Sequence, residues 1–379
     1  MFSVFSSKKS NLIAFIFIIG ILISIIYAAF NVNNFDKNED TNHLMIRGDI
    51  LLVWKEAEVF KKDLIENKKV FGNGIEYTRT FLPSKIIALY SIICKNSLFE
   101  EYQNIYDDIK IKIGGKFFFL LFQIIIYYSS LIYLYKRLLI FYKKSNIGFF
   151  TVAYLALDPN ILQWHGTFWS ESIFISLLII FIAMLIKIQK NLLFCLFIGI
   201  FLGLLYLQKT TTIFFIFFVV PYIFFSEQTK KIQKCISIIL GLIIVLSFLS
   251  YDNFKKSERI YFMPMQTKDA YYMSLVPTIY NTNGMIEEYK RLKTDEENWK
   301  KENKYYDTDF NWESEFALAE YRKNKALEII FANKITTIKI YLKNSIAHMV
   351  INPFQTFFWH KYNQKRFQNE EFHLSEESK

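Results

Sequence analysis

The sequence predicts an all-α integral membrane fold, a bundle of about seven transmembrane helices with further helices lying on its outer surface. Three observations lead there. Hydrophobic residues make up 53% of the 379, with 40 Phe and 24 Tyr among the aromatics, and they are massed in long uncharged runs that a soluble core would not need. The runs recur at about the length that crosses a bilayer as a helix. The Lys and Arg residues behind the formal net charge of +10 sit in short clusters between runs, not on a basic face interleaved with base-stacking groups. The charge therefore reads as topology and anionic-lipid contact, not as nucleic-acid binding.

The first span is residues 11–30, NLIAFIFIIGILISIIYAAF, which follow Lys8 and Lys9. Its bulky Ile and Phe residues argue against a signal peptide, while Ala28 and Ala29 keep cleavage as the alternative. Runs near 117–135, 147–163, 172–187, 192–208, 210–226 and 235–251 supply six more. With a cytoplasmic N-terminus, every inner connection is basic: Lys8 and Lys9; Lys136, Arg137, Lys143 and Lys144; Lys187 and Lys190; Lys230, Lys231 and Lys234. The opposite short connections, residues 164–171 and the turn near 209, hold only Lys209. Two larger segments, 31–116 and 252–379, then face outside. Cys94, Cys195 and Cys235 form neither a disulfide framework nor a metal-spaced pair.

Within the first outer segment, IRGDILLVWKEAEVFKKDLIENKK carries a rough helical stripe of Leu52, Ala57, Val59, Phe60 and Leu64, suited to the membrane surface. The stretch EYTRTFLPSKIIALYSIICK, interrupted by Pro83 and Lys85, is too short to span and predicts an interfacial or re-entrant helix. The last segment is polar from 252 to 315. A long amphipathic helix then runs from Phe316 through Leu327, Ile335 and Leu342 towards Pro353, and the charged tail past Lys361 predicts disorder. Three divisions result: a transmembrane domain over 1–251 that includes the loop 31–116, an outer polar segment with its helix over 252–360, and a tail over 361–379.

Six residues carry chemical potential, each with a structural alternative. Asp49, in RGD before the surface helix, is either an N-cap or a carboxylate held at the outer face. Glu171 lies at the mouth of a span, where it complements the helix dipole as a first-turn acid or serves a site. His165, in the same connection, is an interfacial polar group or a contact. No second His or Cys stands at metal spacing, and no metal or cofactor is assigned. Lys209 interrupts an apolar stretch, where it snorkels to the interface or holds an anion. Arg79 and Lys85 flank Pro83, and a phosphate is their natural counter-charge. Trp54, Tyr77, Trp164 and Trp169 are interface aromatics whose rings also suit sugar stacking.

Taken in order, the RGD acid after the first span, RTFLPSKIIALYSII, LALDPNILQWHGTFWSESIFISLL and GIFLGLLYLQKTTTIFF resemble the GT-C glycosyltransferases. The resemblance is to bacterial family 39 and dolichyl-phosphate-mannose-protein mannosyltransferase-like members, over roughly residues 12–226. KALEIIFANKITTIKIYLKNSI resembles the amphipathic stretch after their last shared span. The resemblance implies transfer of a hexose or pentose from a polyprenyl-phosphate carrier to a lipid, glycan or protein on the outer side of a bacterial inner membrane. It matches Asp49 to the loop acid, Pro159, Ser170 and Glu171 to the proline and serine-glutamate phrase, and Lys209 to a position where arginine is usual. Ile50 stands where a second acid is common, and Lys334 where a proline often follows asparagine. The alternatives from other classes are a lipid-linked oligosaccharide flippase or transporter, expected to show pseudo-symmetric halves and midplane charges, and a non-catalytic membrane scaffold.

Overall fold

Every regular element among the described residues is helical, as hydrocarbon requires of a spanning chain whose backbone groups meet no water. The computed structural model describes residues 8–35, 53, 57, 60–62, 64–65, 81–93, 113–142, 146–166, 171–186, 191–226, 229–257, 260, 262, 266–305 and 312–350. In chain order the helices are α1 (Lys8–Phe35), α2 (Phe81–Ile93), α3 (Ile113–Phe141), α4 (Ile147–Leu157), α5 (Pro159–His165), α6 (Glu171–Ile186) and α7 (Leu192–Gln208). A 3-10 turn (Thr210–Phe215) then leads into α8 (Ile216–Ser226), followed by α9 (Lys231–Ser257), α10 (Gln266–Thr282), α11 (Ile286–Glu302), α12 (Trp312–Ala332) and α13 (Lys334–Val350).

Among the described residues three helices are long and apolar enough to cross a membrane: Asn11–Ala29 in α1, Phe117–Phe141 in α3 and Lys231–Tyr251 in α9. The other four expected spans are shorter apolar helices, and two of them differ from expectation for a visible reason. Residues 147–163 are divided because Pro159 has no N–H to continue α4. The carbonyl that would have received that N–H belongs to Leu155, and the Tyr127 hydroxyl of α3 donates to it instead, while the Tyr128 hydroxyl donates to Ala156 at 3.0 Å. Two tyrosines thus satisfy the end of a helix where water is scarce. Residues 210–226 begin as a 3-10 turn because Lys209 is extended, at φ −152° and ψ 112°, and ends α7.

Helix α3 is the hub, packed on α6, α1 and α4, with Tyr127, Tyr128, Leu131 and Tyr135 buried along it. Helices α7 and α9 approach closely. Gly199 lies against the backbone of Ile238, Gly203 against Val245, and Gly241 against Leu196 and Ile200, so a β-carbon at any of these positions would force the helices apart. Helix α2 is too short to span, as expected, and rests on α7 through Leu82 beside Tyr206 and Leu207. Pro83 does not interrupt it, because in a first turn the missing N–H would have had no helical partner.

The C-terminal segment departs from its sequence reading. Residues expected to be polar and irregular form α10 and α11, and the expected long helix is divided at Asn333 into α12 and α13. Tyr272, Val276 and Ile279 of α10 pack with Leu292, Ala326, Ile329 and Ile340. Asn333 accepts from the Asn283 amide at 2.9 Å and donates to the Ile329 carbonyl, so the division between α12 and α13 is fixed to the turn after α10. The tail 361–379 and much of the expected surface helix near Asp49 lie outside the described residues.

Glu296 of α11 holds this unit together. It is 2% exposed and receives the Arg322 guanidinium (Nε at 2.9 Å), the Tyr272 hydroxyl at 2.9 Å and the Lys293 ammonium at 3.2 Å. Burial alone would raise its pKa, but the hydrogen bond and charge of Arg322, then Tyr272 and Lys293, outweigh it and lower the carboxyl from 4.5 to about 2. The folded form therefore binds fewer protons than the unfolded chain between those values. The stability it contributes is complete above pH 4.5 and is lost as pH falls towards 2. Melting of the C-terminal unit, followed by hydrogen exchange at α10 and α11, should move to lower temperature across that window. Glu296→Gln should flatten the acid dependence and cost about 3 kcal/mol at neutral pH, because Arg322 loses its counter-charge.

Candidate functional site

Antiparallel packing of α6 and α7 decides which polar residues meet. Glu171 opens α6 and Lys209 follows the last residue of α7, so both lie at one end of the helical hairpin. The Lys209 ammonium donates to Glu171 Oε1 at 3.1 Å, with the lysine side chain 42% and the glutamate 20% exposed. Each charge also faces the helix terminus it suits, the carboxylate at an N-terminus and the ammonium at a C-terminus. The lysine backbone is fixed as well. Its N–H donates to Leu205, and its carbonyl accepts the Thr212 N–H at 3.0 Å and the Thr212 hydroxyl at 2.8 Å.

Beside this pair stands His165, fully buried at the end of α5. Its Nδ1 shares a hydrogen bond with the Ser172 hydroxyl at 2.8 Å, and its ring lies 4.4 Å from that of Tyr127. Burial pushes the imidazole pKa far down, so the ring is neutral and is not a second cation beside Lys209. Its Nε2 makes no hydrogen bond among the described residues, and neither do the two amide atoms of Gln123, one helical turn before Tyr127. Gln123 is a residue the sequence reading passed over. Its signal was present as the one amide in the run FFFLLFQIIIYY.

Lys85 is 6% exposed, and its ammonium lies 3.5 Å from the centroid of the Phe60 ring. That sets the side chain against an aromatic face. Asp49 and Arg79 lie outside the described residues, as do Trp54, Tyr77, Trp169 and Ser170. Among the six candidates, then, the structure joins Glu171 to Lys209 and sets His165 next to them through Ser172.

An apolar cavity of about 340 Å³ lies between α3, α4, α5 and α6, lined by Leu134, Leu155, Ile161, Ile175, Ile179 and Ile182 among others. Ile175 is one turn beyond Glu171 on α6. Helix α6 thus carries one partner of a partly exposed ion pair and, from its second turn on, part of a hydrocarbon-lined space, a combination suited to an amphiphile with an anionic head.

Residues 109–251 match the family model described as dolichyl-phosphate-mannose-protein mannosyltransferase. This finding supports a GT-C-type glycosyltransferase, the family its motifs resemble. The mannosyltransferase match begins just before α3 and ends within α9, so it contains Gln123, His165, Glu171, Lys209 and the residues that line the cavity. Helices α1, α2 and α10 to α13 lie outside it. No curated protein and no solved structure matches the chain.

The ion pair predicts a measurable coupling. Lys209→Met and Glu171→Gln should each lower thermal stability in detergent, and the double variant should lose less than their sum, with a coupling of about 0.5–1 kcal/mol for a pair this exposed. Strict additivity would show that the two groups do not interact.

Proposed function

We propose that the protein is an inverting glycosyltransferase that moves a hexose or pentose from a polyprenyl-phosphate carrier to a lipid, glycan or protein acceptor. The observation that carries this reading is the mannosyltransferase match enclosing the Glu171–Lys209 pair. The placement of that pair at one end of antiparallel helices supports a site at a membrane face. With the positive-inside pattern of the sequence, that face is the outer one, and the membrane is the bacterial inner membrane.

The chemistry asks little of the protein beyond positioning. A polyprenyl phosphate is a stable anion when it leaves, so no strong general acid is needed; cations must hold the phosphate, and a carboxylate must take the proton of the acceptor hydroxyl. Asp49 is the base in this reading, and one direct displacement inverts the sugar carbon. Lys209 is the phosphate contact. An ammonium has three donors, and Glu171 occupies one, so the exposed remainder of Lys209 is open to a second anion. Arg79, if the loop brings it near, adds charge of the same sign. His165 and Gln123 offer neutral polar atoms suited to sugar hydroxyls, and the apolar cavity suits the carrier's hydrocarbon.

The test is direct. Purified protein incubated with radiolabelled polyprenyl-phosphate sugars and membrane extract should yield a labelled product, and Asp49→Asn should keep donor binding while lowering turnover roughly a hundredfold or more. Near-normal turnover in that variant would return Asp49 to its helix-capping role.

A further inference from the structure

Helix α13 has two apolar faces, and the fold uses only one. Thr337 and Ile340 are buried towards the C-terminal core, and Thr336 donates to Asn283, which fixes that side. On the other side Ile335, Ile338 and Leu342 are 72%, 58% and 58% exposed. Their spacing of three and four residues places them in one stripe along the helix. Phe331, at the end of α12 and 62% exposed, precedes it, with the Lys334 ammonium 5.8 Å from its ring centroid. Large apolar side chains so aligned on a helix surface mark a contact with something.

The charges decide what that something is. The α13 sequence KITTIKIYLKNSIAHMV holds Lys334, Lys339 and Lys343 and no Asp or Glu. At 100° per residue, Lys334 falls on one flank of the stripe and Lys339 and Lys343 on the other. By contrast, lysines on α12 are paired within their own helix, Lys323 with Glu320 and Lys325 with Glu328. A second copy of this face would set lysine against lysine. An anionic lipid surface meets both features at once, apolar side chains entering the acyl boundary and ammonium groups meeting phosphates. The unit is also held near such a surface, because α12 contacts α9, one of the three helices able to cross the membrane.

We propose that α13 is an interfacial docking helix whose Ile335–Ile338–Leu342 stripe lies in an anionic membrane leaflet, with Lys334, Lys339 and Lys343 engaging lipid phosphates. This role is separate from sugar transfer. It makes the C-terminal unit a second membrane contact that fixes its height above the bundle.

The experiment uses the full chain in nanodiscs of phosphatidylcholine with or without phosphatidylglycerol, with the three native cysteines replaced by alanine. A spin label at Ile338→Cys is compared with one at Lys290→Cys, an exposed position on α11. In discs containing phosphatidylglycerol the label at 338 should collide mainly with oxygen dissolved in lipid, and the label at 290 mainly with a water-soluble nickel complex. Lys334→Glu combined with Lys339→Glu and Lys343→Glu should move the label at 338 towards the nickel complex without lowering the thermal stability of the C-terminal unit. The proposal is overturned if the label at 338 is as open to nickel as that at 290, if it is shielded from both agents as by a protein partner, or if the charge reversal leaves its oxygen preference unchanged.

Discussion

A carboxylate at the mouth of one apolar helix and an ammonium at the end of the next cannot both enter a membrane boundary alone, and the contact between Glu171 and Lys209 resolves both. That contact depends on the direction of the chain. Helix α7 returns antiparallel to α6, so residues 38 positions apart in sequence become neighbours. Ser172, next to Glu171, meets His165 of α5, whose ring on Tyr127 joins this end of α6 to the hub helix α3. Close packing of α7 on α9 through Gly199, Gly203 and Gly241 then holds the hairpin against the helix that precedes the C-terminal unit.

The general rule behind these contacts is that hydrocarbon offers no partner to a polar group, so each one inside the bundle must find its own. Tyr127 shows the rule at its clearest. Pro159 leaves the Leu155 carbonyl without its helical donor, and a tyrosine from the neighbouring helix supplies one. Gln123 and His165 are among the places where the described side chains leave buried polar atoms over, and they lie on elements that pack around the proposed site. In a membrane bundle such atoms are expected where a polar ligand or water belongs.

Much of this was legible in the sequence. The apolar runs announced α1, α3 and α9, and the isolated positions of Glu171 and Lys209 at run boundaries marked them as residues needing compensation. Their mutual pairing was not legible, since hydropathy fixes where helices begin and end but not which ends adjoin. Lys209 therefore read as a lone ammonium, when its first counter-charge is in the same chain. Hydropathy also misjudged lengths: the run 147–163 reads as one span, yet Asp158, Pro159 and Asn160 interrupt it, and the missing N–H of Pro159 ends α4. The C-terminal segment failed differently. Its polar composition hid the apolar positions Tyr272, Val276, Ile279 and Leu292, spread over two helices that make a core only once α12 lies against them.

The reading of the site rests on Lys209 serving an incoming phosphate in addition to Glu171. Binding of a polyprenyl monophosphate carrying no sugar, measured in nanodiscs for the wild type, Lys209→Arg and Lys209→Met, tests this apart from any catalytic step. A lysine that holds the phosphate predicts roughly ten- to hundredfold weaker binding in the methionine variant, the loss expected for one charge-assisted hydrogen bond, with arginine retaining most of the affinity. Equal affinity in all three proteins would contradict it and would leave the Glu171–Lys209 pair as a structural clasp alone.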